Sequence, residues 1–195
     1  MSGILDMLSG TIGNDTVSEI GDQLGLDQST AGNLVGTALP LLVSALAKNA
    51  SSPKGAESLL NALNKDHDGS ILDNIGGLLG GQVDANGAGI LGHIFGNQQQ
   101  QIQQGLGKTA GVDASTVGSL LQILAPVVMG ALGKQTAQQN LDAGGLAGML
   151  QGAAKSASQS SPDVLGSLLG MLDTNRDGSV VDDVVGMLGK LFKKS

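Results

Sequence analysis

The sequence predicts an all-α, multihelical protein made of two internally duplicated helical units with acidic helix-loop-helix turns. Three observations carry that expectation. Apolar residues such as Ile4, Leu5 and Leu8 recur at three- and four-residue spacing, while no stretch alternates with β-branched enrichment. Capping residues mark the helix starts, and the chain repeats itself at a fixed offset.

The repeat organises the elements. Gly25 to Thr30 (GLDQST) lies over Gly111 to Thr116 (GVDAST), and Pro40 lies over Pro126, a shift of 86 residues (126 − 40). The acidic stretches that follow match at a shift of 109 (177 − 68), so the second copy carries an insertion of 23 residues (109 − 86) near 136–160. The units are placed at 1–86 and 87–195. Within each, an N-terminal helix, with room for a second, precedes a long apolar helix, for which Asp27 and Asp113 are the candidate N-caps. Ser52-Pro53 and Ser161-Pro162 combine a capping hydroxyl with proline at the first helical position and open a shorter helix. An acidic loop and a final helix close each unit. In the insertion, the apolar patch Leu146 to Leu150 predicts one extra helix.

Leu34 to Lys48 and Thr116 to Lys134 are apolar on nearly every face, the pattern of a central helix surrounded by others. Membrane insertion is the rival reading; the first run is short for a span, and Ser119, Gln122 and Pro126 interrupt the second. Pro40 and Pro126 each remove a backbone donor and are expected to kink these helices.

Composition bounds the function. Hydrophobic residues make up 41% of the chain, enough for a core, but with two Phe, no Tyr and no Trp that core must be aliphatic. Thirty-two glycines suggest close approach between helices, since each costs roughly 1 kcal/mol relative to Ala inside a helix. The net charge of −7 and scattered basic residues argue against nucleic acid. Without cysteine, disulfides, thiolate metal sites and a thiol nucleophile are excluded. The N-terminal residues show no signal-peptide pattern, so a cytoplasmic location is the expectation. Asn97 to Gln104 is glutamine-rich and reads as a solvated helix face.

The acidic loops carry the chemistry. Asp173, Asn175 and Asp177 stand at alternate positions before Gly178, with Ser179 next; Asn64, Asp66, Asp68, Gly69 and Ser70 repeat the pattern. Oxygen ligands at positions 1, 3 and 5 followed by glycine at 6 open a calcium loop. Where an EF-hand needs a bidentate Glu at position 12, however, this chain has Ile75 and Val184, leaving Asp73, Asp182 and Asp183 as the nearest carboxylates. The competing reading needs no ion: Ser70 to Asp73 and Ser179 to Asp182 match a capping box, with Asp68-Gly69 and Asp177-Gly178 as the turn before a helix. Both readings stay open, with Ca²⁺ the candidate cofactor and the second loop favoured because it has one more carboxylate.

The run Leu63 to Asp73, the segment Gly89 to Gly96 and the stretch Leu124 to Gly130 resemble a bacterial family known as domain of unknown function 937. The resemblance implies a bacterial helical protein over essentially the whole chain and supplies no catalytic residues. A site built from the two histidines, His67 and His93, would require folding across the junction between the copies. No nucleophile elbow, P-loop or dinucleotide fingerprint is present. The expected function is therefore a non-enzymatic interaction or assembly module, self-association included, with calcium as stabiliser. A peripheral membrane or envelope-associated protein is the alternative, and an enzyme a distant third.

Overall fold

The computed structural model describes residues 4–80 and 86–160, and these are helical with no strand among them. The helices are α1 (Ile4–Thr11), α2 (Asn14–Leu24), α3 (Gln28–Asn49), α4 (Pro53–Asp66), α5 (Ile75–Leu79), α6 (Gly87–Phe95), α7 (Gln99–Ala110), α8 (Ala114–Gln139) and α9 (Ala143–Ser160). Single 3₁₀ turns, Ser70–Asn74 and Gly96–Gln98, lead into α5 and α7.

Local chemistry explains the starts and stops. Asp27 accepts from the backbone N–H groups of Ser29 and Thr30 at 3.1 and 3.0 Å, so α3 begins where the sequence places its cap. Asp113 does the same for α8, accepting from Ser115 and Thr116 at 3.0 Å each. Ser52 accepts from the Gly55 N–H at 3.1 Å, with Pro53 supplying the fixed φ of the first turn of α4. Asp142 opens α9 by accepting from the Gly145 N–H at 2.7 Å. Gly25 and Gly111 end α2 and α7 at φ 68° and 71°, left-handed conformations that only glycine adopts without strain. The same cap and stop thus recur 86 residues apart (111 − 25).

The apolar helices α3 and α8 lie at the centre. Leu41 to Ala47 are buried without a break, as are Leu124 to Gly133, so both helices are enclosed around their whole girth there. Against α3 pack α2, α8 and α9; against α8 pack α6, α7 and α4. One hydrophobic core joins Ile4 and Leu8 of α1, Leu91 of α6, Ile102 of α7 and Leu146 and Leu150 of α9 to the central pair. The extra helix expected in the insertion is α9, and it covers α3 and α4.

The structure changes the argument about the membrane. At 22 residues α3 is about 33 Å long, enough to span a bilayer, so shortness no longer counts against it. Both α3 and α8 are apolar and long enough to cross a membrane, yet 67% and 78% of their most apolar windows are buried against other helices. Central helices of a water-soluble core have this property too.

Candidate functional site

A cleft of about 540 Å³ opens between α4 and α6. Its floor is apolar: Leu46 of α3, Leu59 and Ala62 of α4, Ile90 and Ile94 of α6, and Met129 of α8. Polar groups stand around it, namely Asn49, Ser58, Asp66, His67, Asn86 and His93. The two histidines, 26 residues apart in sequence (93 − 67), therefore line one cavity, although they belong to opposite sides of the expected junction between the copies. Periodicity had no means of revealing it, because it depends on how α4 and α6 are set against α3.

Asn49, the last residue of α3, fixes that setting. Its Nδ2 donates to the backbone carbonyls of His93 and Ile94 at 3.3 and 3.1 Å, supplying partners to orphan acceptors at the end of α6. Its own carbonyl lies where a side chain on Gly55 would begin, so α4 starts in contact with the end of α3. At the other end of α6, Gly87 sits against the backbone carbonyl of Gln122. That carbonyl is the acceptor for which Pro126, four residues on, has no N–H to offer. The carbonyl freed by the proline in α8 is thus the one that Gly87 of α6 packs against.

His67 is half-buried, and desolvation holds its imidazole below its ordinary pKa, opposed in part by the neighbouring Asp66 carboxylate. The ring is therefore neutral at physiological pH. Neither imidazole is hydrogen-bonded to another described residue. A second hollow of about 490 Å³ among α1, α2 and the first half of α3 is lined by Ser9, Ile12, Asn14, Val17, Gln28, Ser29, Gly32, Val35, Gly36 and Leu39, with no titratable side chain.

The first acidic loop is a docked turn. Asn64 and Asp66 lie in the last turn of α4, and Asp68 Oδ1 accepts from the Ser70 N–H at 2.9 Å. The Ser70 N–H and hydroxyl together hold the Asp68 carboxyl below its usual range. Gly69 has φ 98°, and a Cβ there would stand 2.8 Å from Cβ of Lys134. Gly133 leaves room for the His67 carbonyl, and a Cβ on Gly130 would meet Ile71 Cγ2 at 2.5 Å. The small residues of α8 thus receive the loop of the preceding half.

The capping-box expectation at Ser70 is corrected here. Ser70 and Asp73 belong to the 3₁₀ turn, and Asn74 caps the following helix by accepting from the Gly77 N–H at 3.0 Å. A side chain four residues later does the work because the chain must first cross the face of α8. Asp66, Asp68 and Asp73 are exposed, and among the described residues no three His, Asp or Glu side chains gather as a metal-holding group. Asp173, Asn175, Asp177, Ser179, Asp182 and Asp183 of the second loop lie outside the described residues.

The helices that frame the cleft also carry the comparison with known proteins. The family model described as "Bacterial protein of unknown function (DUF937)" matches residues 6–135. The chain belongs to the DUF937 family. The match runs from α1 into the last turns of α8, so it takes in the cleft and the first acidic loop of this DUF937 protein but ends before α9. The coverage is thus narrower than the resemblance implied. No curated protein and no solved structure matches the sequence.

Proposed function

We propose that the protein is a non-enzymatic helical interaction module that works by binding in the cleft between α4 and α6. The observation that supports this reading is the cleft itself: about 540 Å³, with an apolar floor and a polar rim, within the size range of small-ligand and anchor-residue pockets. Its walls are positioned by backbone contacts that leave little freedom, as at Asn49 against Gly55 and Gly87 against Gln122. A preformed cavity spends little ordering entropy on binding.

Calcium belongs to this proposal through the second acidic loop, where the sequence offers Asp173, Asn175, Asp177, Asp182 and Asp183. The first loop already spends Asp68 on its own turn.

Light scattering on the purified chain, beside an Ala62→Phe variant, tests whether the cleft supports self-association: loss of an oligomer in the variant with an unchanged melting temperature is the supporting result. Flotation with anionic vesicles tests the membrane alternative. Retention of the folded protein in solution is expected, and co-flotation through α3 and α8 would replace the interaction reading with the membrane one.

A further inference from the structure

The chemistry of the cleft rim restricts what it can hold, and the restriction comes from hydrogen-bonding capacity. Asn49 commits its Nδ2 to the two carbonyls of α6, which leaves its Oδ1 as an acceptor. Asp66, at the end of α4, is an acceptor-only carboxylate and, among the described residues, the one carboxylate that lines the cleft. His67, kept neutral by burial, presents one ring nitrogen as an acceptor and the other as a donor, and the Ser58 hydroxyl can serve as either. Among the described residues no lysine or arginine lines the cavity, and the chain as a whole carries −7. The floor, in contrast, is made of aliphatic side chains and Met129.

We propose that the cleft binds a small cationic amphiphile, its aliphatic body on Leu46, Leu59, Ile90 and Met129 and its ammonium head at Asp66 and Asn49. An ammonium brings three donors and a positive charge to the Asp66 carboxylate and the Asn49 Oδ1, whereas a carboxylate or phosphate, although it could accept from Ser58 or a histidine N–H, would meet a like charge at Asp66. The proposal rests on the reading of the cleft as a binding site and adds the charge and shape of the occupant.

The test is an amide NMR titration of the full chain with decylamine, 1-decanol and decanoate, each below its micelle-forming concentration. The expected result is saturable binding that shifts amides of α4 and α6, with decylamine about tenfold tighter than decanoate, a gap that one attractive and one repulsive exposed charge contact can produce. Asp66→Asn should bring decylamine to the level of decanol and leave decanol unchanged. Ala62→Phe should abolish all three, with Ala62→Leu as the milder variant if the first does not fold. Decanoate binding as tightly as decylamine, while decanol still occupies the cleft, would overturn the assignment of charge and leave the binding reading intact. Shifts spread over the whole surface and indifferent to Ala62→Leu and Ala62→Phe would show detergent-like adsorption and overturn the proposal, as would the absence of shifts with any of the three.

Discussion

The backbone carbonyl of His67 occupies the space where a side chain on Gly133 would begin. The loop after α4 is thereby keyed to α8 by a backbone contact, with the Ile71 side chain seated on Gly130 beside it. Gly133→Ala should cost about 1 to 3 kcal/mol, because a carbonyl fixed by its own turn cannot move aside as a flexible side chain would. Gly36 of α3 is the control: nothing lies within 4 Å of the Cβ it lacks, so Gly36→Ala should stabilise by up to about 1 kcal/mol through helix propensity. Urea unfolding of both variants decides the matter; equal effects would mean that the contact at Gly133 relaxes freely.

Asp27 and Asp113 predict how stability responds to acid. Hydrogen bonds from the hydroxyl and backbone N–H of Thr30, with Ser29, lower the Asp27 pKa to about 2, and donors from Ser115 and Thr116 lower that of Asp113 further. A carboxylate with a depressed folded pKa adds stability above its unfolded value of 3.8 and loses it as pH falls through the folded value. The melting temperature should therefore drop between about pH 4 and about pH 2, and less steeply in Asp27→Asn/Asp113→Asn. At neutral pH the double variant should melt only slightly lower, since Asn caps nearly as well as Asp and only the charge at the two helix N-termini is lost. Parallel melting curves for wild type and variant across that range would sink the idea.

These caps also show which parts of the fold were legible. Capping is local: Asp27, Ser52 and Asp113 act on N–H groups two or three residues away, so their role could be read directly from sequence. The apolar girth of α3 and α8 likewise announced their central position, and Leu146 to Leu150 announced α9. What stayed hidden depended on distant backbone. Asn74 rather than Ser70 caps α5 because the intervening turn lies on Gly130 and Gly133, some sixty residues along the chain. The cleft needs Asn49 to reach His93, and nothing in either segment's pattern encodes that meeting.

Asn49 should accordingly matter more than its exposed position suggests. Removing its amide in Asn49→Ala leaves the His93 and Ile94 carbonyls without that donor and should cost about 1 kcal/mol or more, since the bond to Ile94 is partly buried. Asn49→Asp, which cannot donate to either carbonyl, should be at least as damaging. Differential scanning calorimetry at one pH would show it; a variant as stable as wild type would mean that water replaces the amide without loss.

The two central helices each carry a buried hydroxyl without a partner among the described residues, Ser44 Oγ in α3 and Thr136 Oγ1 in α8. An unsatisfied buried hydroxyl pays its desolvation cost with no return, so Ser44→Ala and Thr136→Val, which keep the volume nearly constant, should each stabilise by about 1 kcal/mol. Chemical denaturation should show a higher midpoint at an unchanged slope. A loss of stability instead would reveal that these groups are paired in solution, through water or a rotated hydroxyl.

Calcium titration divides the two acidic loops. In the first, Asp68 is bonded to Ser70, Asp66 sits at the end of α4, Asp73 belongs to the 3₁₀ turn, and Ile75 begins α5 where a bidentate Glu would be needed. An ion there would have to unmake the turn that lies against Gly130 and Gly133, and position 12 offers no carboxylate in exchange. The second loop has Asp182 and Asp183 in reserve, one carboxylate more than the first, which has only Asp73 there. Calorimetry on chelator-treated protein should therefore find a single weak site, lost in Asp177→Ala and kept in Asp68→Ala. At a tenfold excess of calcium over its dissociation constant, stability should rise by about 1.4 kcal/mol. Asp68→Ala should lower stability equally with and without calcium, because its role is the turn. Two bound ions per chain would contradict the docked turn at 67–72, and the absence of heat at millimolar calcium would leave both loops as helix connections that need no ion.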